Sequence, residues 1–379
     1  MYMKFRVKSI DGCRGLAAIL VMLTHFFVMF YPAIFWGAGY THLKQGLDYW
    51  LCQMLPFPSA DSGVALFLLI TGFGSYLVID SGGMDIRKYL LLRYPKLLVL
   101  TLLGALPVVA LLHSGLVFVP DIADSLHTPW FNGWPPADAD VGQLMLHNPL
   151  GAFVVYNNVL WTMPYFFYGA MLSFVLASIF SDSLRENLCV ALAAAIIAAN
   201  ISQYYYISCI SGTLLGFCYK HRRIIFSFSR MQKTIIFLLA LYFCSYPTGV
   251  TGSEGIFWRH GFEQAHILYH AAGSTLLAML ALTPGSLAER IMECRLFQWL
   301  GHYSMGIYLI HYSVLVSPVA FLYGCLPAAP YTLKTAILLP IYMGLCLAAG
   351  MAGQAIGNYV SCLLDKLYAY IFRRCCQRE

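Results

Sequence analysis

Charge is what this chain most lacks. Asp, Glu, Lys and Arg make up 11% of its 379 residues against 60% hydrophobic ones. A soluble globular domain carries about a quarter of its residues charged, so that class is excluded. A cleavable leader is not expected, because the apolar run from Gly15 is too long and no small-residue cleavage site precedes the next one. The twelve cysteines form no Cys-x-x-Cys pair, and most fall inside apolar runs. They read as small hydrophobes, not as a disulfide framework. No Gly-x-Ser-x-Gly elbow occurs, and no closely spaced His, Cys and Glu cluster offers a metal site, so neither a serine nucleophile nor zinc is expected. Internal repeats and low-complexity linkers are missing too, which leaves one integral membrane domain over residues 1–379.

Apolar runs of membrane-spanning length are what the chain has in abundance. A bilayer core of about 30 Å is crossed by roughly 20 helical residues. Ten segments qualify: 14–34, 62–80, 89–112, 159–181, 187–204, 205–219, 232–248, 266–283, 299–324 and 332–361. The expected fold is therefore all-α and polytopic, with about ten transmembrane helices. Between the fifth and sixth, Gln203 and the cluster Tyr204 to Tyr206 must supply a very tight outer turn.

The cations orient the chain. With the N-terminus in the cytoplasm, all 23 Lys and Arg residues except Lys44, Arg259 and Lys334 fall on the cytoplasmic side. Residues 1–13 then form a cytoplasmic N-terminus, 113–158 the large extracytoplasmic loop, and 362–379 a basic cytoplasmic tail. The net charge of +6 reflects this orientation. Membrane lipids are the implied partners and nucleic acid is not; the oligomeric state is not legible.

Inside the first segment, Arg14 and His25 stand eleven residues apart. At 3.6 residues per turn they share nearly one face, roughly 16 Å apart along the axis. Ionisable groups at this depth are costly unless they face protein or a polar cavity, which marks a functional site. The plainer alternative is an Arg snorkelling to lipid phosphate above a core histidine.

The segment Ser9-Ile10-Asp11-Gly12-Cys13-Arg14-Gly15, running on to His25, resembles the opening of the acyltransferase-3 family of integral membrane enzymes. Ser62-Gly63-Val64-Ala65-Leu66-Phe67 with Ile70-Thr71-Gly72-Phe73 is similar to that family's second-helix signature. Arg93-Tyr94-Pro95-Lys96 resembles its Arg-x-x-Arg, and Leu160-Trp161-Thr162-Met163 its mid-chain motif. Leu300-Gly301-His302-Tyr303-Ser304 with Ile307-Tyr308-Leu309-Ile310-His311 resembles its late helix. Two positions depart: Phe166 stands where the family usually has Glu, and Lys96 where it has Arg.

The resemblance implies transfer of an acyl group, acetyl being expected, from cytoplasmic acyl-CoA to a glycan or glycolipid hydroxyl, with no metal. The setting would be a bacterial inner membrane. His25 would act as general base or as acyl-carrying nucleophile. Arg14 and Arg93 are the expected phosphate contacts, with Lys96 third, as a point charge without the two-pronged reach of Arg. Arg87 and Lys88 read as ordinary membrane-edge anchors. Trp161 and Tyr308 are candidates to line the acyl or acceptor cavity, with packing the alternative. His311 is divided between that cavity and a helix-to-helix hydrogen bond. Asp61 and Ser62, before the second helix, are candidates for the same cavity. In the outer loop, Trp130, Trp134, Pro135, Pro136, Asp138 and Asp140 offer the aromatics and carboxylates that hold sugars. The rival functions are a glycolipid transporter or flippase, and a catalytically silent family member serving in assembly.

Overall fold

The structure is a computed structural model that describes residues 7–36, 38–48, 59–81, 86–119, 128–131, 134, 141–221, 228–246, 265–326 and 329–376. Among them every regular element is helical. Ten helices have fifteen residues or more: α1 (Lys8–Phe30), α2 (Ala60–Asp80), α3 (Ile86–His113), α4 (Met163–Ile179), α5 (Leu184–Asn200), α6 (Tyr206–Lys220), α7 (Arg230–Cys244), α8 (Ala265–Ala281), α9 (Arg295–Val314) and α10 (Tyr331–Cys376). Each of the ten apolar segments lies on one of them. Six are long and apolar enough to cross a membrane: α1, α2, α3, α4 with its leading turn from Asn158, α9 extended to Gly324, and α10.

Local chemistry explains the ends. Ser59 precedes α2 and its Oγ accepts from the Ser62 N–H, so the helix starts at Ala60 and takes Asp61 and Ser62 into its first turn. The fifth and sixth segments are two helices joined by a turn. Ile201 ends α5, and Ser202 sits in the left-handed region at φ 56°. The Ser202 N–H donates to the Ala199 carbonyl and the Gln203 N–H to that of Ala198. This is a Schellman closure in which Ser occupies the place glycine usually fills. In α9, Pro318 lacks the N–H that the ladder needs, and the turn Leu315–Val319 widens to a π-turn around it before Ala320–Gly324 resumes the helix.

The largest difference from expectation is at the C-terminus. A helix ending at 361 and a separate tail over 362–379 were expected, but α10 is one helix of 46 residues. At 1.5 Å per residue it measures about 69 Å, roughly twice the apolar thickness of a bilayer. After Gly357 the sequence has neither Gly nor Pro to stop it. The loop over 113–158 also carries elements of its own, the short helix Val141–His147 and the 3-10 turn Ala152–Val155.

The chain forms two compact units, one made of residues 1–82, 126–130 and 168–304, the other of 83–125, 131–167 and 305–379. The boundary falls within α4 and α9. In the first unit, helices meet backbone to backbone at glycines. A Cβ on Gly212 of α6 would overlap the Leu69 carbonyl of α2, and one on Gly72 the Cys209 carbonyl of α6. Gly63 of α2 lies against the Ala17 carbonyl and Val21 of α1, while Gly12 and Gly15 of α1 lie against Met292 and the start of α9. Close approach of this kind maximises dispersion where lipid offers no hydrophobic drive for helix association. In the second unit Gly306 of α9 meets the Gly350 carbonyl of α10. There a buried amide adds a polar tie: the Asn157 Nδ2 donates to the carbonyls of Gly104 on α3 (2.8 Å) and Leu309 on α9 (3.2 Å).

Candidate functional site

The first unit holds Arg14, His25 and Asp61. Packing through Gly12 and Gly15 uses one side of α1, and Ala17 and Val21 abut α2. Arg14 and His25, about 20° apart around the axis, share this α2-facing side of α1 with Val21, and each is partly exposed. His25 was expected to be buried and is half-buried instead.

A residue of the large loop completes its surroundings. The Thr128 hydroxyl donates to the Val28 carbonyl near the end of α1 (3.3 Å), and the Trp130 N–H donates to Thr128 Oγ1. This pins the segment so that the Trp130 indole stacks on the His25 imidazole, ring centroids 5.0 Å apart at 22°. A stacked partner covers a ring face and restrains its rotation while leaving the in-plane nitrogens at the edge, the geometry a proton-transferring imidazole needs.

Asp61 belongs to a polar group that the sequence reading did not assemble. The Tyr205 hydroxyl donates to its carboxylate at 3.4 Å, and His266 of α8 is near enough for their charges to interact. One turn further, the fully buried His270 meets the Ser59 hydroxyl at 3.3 Å, and Ser274 donates to the Ser62 carbonyl. The legible signal was two histidines four apart, His266 and His270, inside an apolar helix.

Arg93, Lys96, Trp161, Tyr308 and His311 belong to the second unit. On α3 the Arg93 guanidinium donates from Nη2 to the Phe166 carbonyl (3.3 Å) and stands 5.9 Å from the Tyr89 ring centroid. Its Nε is buried without a hydrogen-bond partner among the described residues. Such a donor fits an anion arriving from outside the protein. Phe166, at the family's Glu position, is buried with its ring edge-on to Tyr308. The departure therefore removes a charge and inserts packing, while the backbone oxygen at that position still holds the arginine.

Lys96 is already engaged. Its Nζ lies 2.7 Å from Asp365 Oδ2 on α10, and Lys88, which was read as an anchor, lies 2.9 Å from Asp365 Oδ1. Tyr308 is 1% exposed; its hydroxyl donates to the Val159 carbonyl and pairs with Thr162 at 2.5 Å, so it secures the 3-10 turn Asn158–Thr162. His311 bonds within α9, from Nδ1 to the Ile307 carbonyl at 3.2 Å. A buried ring can reach the carbonyl one turn back without any help from a neighbouring helix. Trp161 is half-buried and edge-on to Tyr165.

In the outer loop, Trp134 donates its indole N–H to the Tyr156 carbonyl and packs edge-on against Tyr312. Pro135, Pro136, Asp138 and Asp140, like Arg259, lie outside the described residues.

A family model described as an acyltransferase domain matches residues 7–352. No curated protein and no solved structure matches the chain.

Proposed function

With nearly its whole length covered by that match, the chain belongs to the acyltransferase-3 family, and we propose that it transfers an acyl group from acyl-CoA to a hydroxyl of a carbohydrate acceptor. Acetyl is the expected group, and a surface polysaccharide or glycolipid the expected acceptor. The chain is an integral membrane protein on its six long apolar helices and its family. Ten spans and both termini in the cytoplasm belong to the proposal, supported by the cation distribution, and so does a bacterial inner membrane.

One observation carries this reading: the half-buried imidazole of His25, on the same helix face as Arg14, lies held under Trp130. In the reaction the acceptor oxygen bonds to the thioester carbon, the carbon–sulfur bond breaks, and the hydroxyl proton ends on the departing sulfur. As general base, His25 takes that proton and passes it on; as nucleophile, it holds the acyl group between two such transfers. Arg14 and Arg93 are each a candidate phosphate contact, with Lys96 third. Asp61 and the half-buried Trp161 are proposed acceptor contacts. Tyr308 and His311 are buried and bonded within the second unit, which they help to hold together.

The test is transfer from radiolabelled acetyl-CoA in membranes bearing the wild type, His25→Ala or Arg14→Ala, offered glycan extracts as acceptor. Removal of an acid–base residue lowers the rate by about 10²- to 10⁴-fold. Equal labelling by wild type and His25→Ala, at equal expression, would sink the reading. A silent family member is the second reading, favoured by Phe166 and by the Lys96–Asp365 pair; it predicts no labelling by any variant with any acceptor.

A further inference from the structure

The cationic end of α3 contains its own counter-ion. Lys88 and Lys96 lie two turns apart on α3, and both reach one carboxylate, that of Asp365 on α10. Each oxygen of Asp365 takes one ammonium, Oδ1 that of Lys88 at 2.9 Å and Oδ2 that of Lys96 at 2.7 Å. A phosphate is gripped in the same manner, by separate cations on separate oxygens. All three side chains keep 23–31% of their surface exposed, with Asp365 Oδ1 on the buried side of the carboxylate. Ion pairs this exposed are weak and exchange readily for another anion. On the same helix Arg93 adds a buried Nε without a hydrogen-bond partner among the described residues, a donor that Asp365 does not engage.

We propose that Asp365 is an internal mimic of a phosphate: it fills the lysine pair of the second unit until a phosphate-bearing ligand displaces it. The inference rests on the reading that these cations serve the phosphates of acyl-CoA, although a lipid phosphate has the same chemistry. Asp365 lies beyond residue 352, where the family match ends. Binding then means trading two ion pairs with Asp365 for contacts with phosphate, and the carboxylate raises the ligand concentration needed to fill the site.

The experiment is equilibrium binding of coenzyme A to the full chain in nanodiscs of phosphatidylcholine alone. It is repeated as retention of phosphatidylglycerol from mixed nanodiscs. Asp365→Asn should bind coenzyme A about three- to tenfold more tightly than wild type, since it has no pairs to break. Asp365→Glu, which keeps the charge, should bind as wild type does. Should the Asn variant fail to assemble, Asp365→Ser gives the same comparison. Tightening toward phosphatidylglycerol alone would also support displacement and would identify the phosphate as a lipid headgroup. Unchanged or weaker binding of both ligands by the neutral variants, with wild type binding coenzyme A normally, overturns the proposal and leaves the acyl-CoA reading intact. If wild type binds neither ligand, the donor reading and this inference fall together.

Discussion

The two units solve the same problem, helix association in a solvent as apolar as the helices, in different ways. In the first unit α1 and α2 are largely enclosed, 61% and 72% buried over their apolar lengths, whereas α3 and α10 in the second are 28% buried. Enclosure there is achieved by glycines that bring backbones into contact. Polar side chains join helices in both: Ser59–His270 and Ser274 tie α2 to α8 in the first unit, and Asn157, the Thr162–Tyr308 pair and the two lysines on Asp365 act in the second, where α3 and α10 are less enclosed. Close packing leaves no room for change but needs no polar partner, whereas side-chain ties tolerate space and fail when a partner is lost. The candidate base His25 and Arg14 are on the first unit, and Arg93, Lys88 and Lys96 are on the second.

The contrast breaks most sharply at Gly212. Gly212→Ala places a Cβ where the Leu69 carbonyl already is, and the helices must separate. A loss on the order of 3 kcal/mol is expected, seen as aggregated material in size-exclusion chromatography. On α2 itself, Gly74→Ala is the control: nothing lies within 4 Å of its added Cβ, so the protein should stay monodisperse. If both variants behave alike, backbone contact is not what holds the first unit.

In the second unit the matching test is Asn157→Ala. Asn157 is fully buried, and its loss removes the amide's bonds to two helix carbonyls, with an expected cost of about 1–3 kcal/mol in thermal or denaturant unfolding. An unchanged midpoint would show that the polar ties are incidental and that the two units differ less than their contacts suggest.

The smallest effect tests what Trp130 does for His25. Trp130→Ala should lower the acyl-transfer rate about tenfold, equivalent to roughly 1.4 kcal/mol, and Trp130→Phe should restore most of it by keeping a stacked ring. A positioning role also requires the loss to appear in kcat more than in the KM for acyl-CoA. Equal loss in the Ala and Phe variants would point instead to the indole N–H.

Much of the fold was legible because its signals are local. Apolar length located ten helices, and the Gln203 to Tyr206 cluster marked a real break, since a chain that must reverse in five residues needs polar groups and a left-handed residue there. How far α10 runs past its apolar segment was not legible, for the opposite reason. A charged, polar sequence resembles a tail, but helix formation depends on backbone freedom, which neither Arg nor Cys interrupts. Arg14 and His25 were legible as a pair because helical periodicity is fixed by geometry.

The sequence by itself determined the helices, their apolar faces, the alignment of Arg14 with His25 and the family. Only the tertiary structure decided that Trp130 covers His25, that Tyr308 and His311 are engaged within their own unit, and that Asp365 occupies Lys88 and Lys96. The reason is physical. Periodicity and hydropathy depend on neighbours within a few turns, whereas Lys96 and Asp365 are 269 residues apart and meet only because α3 and α10 pack together.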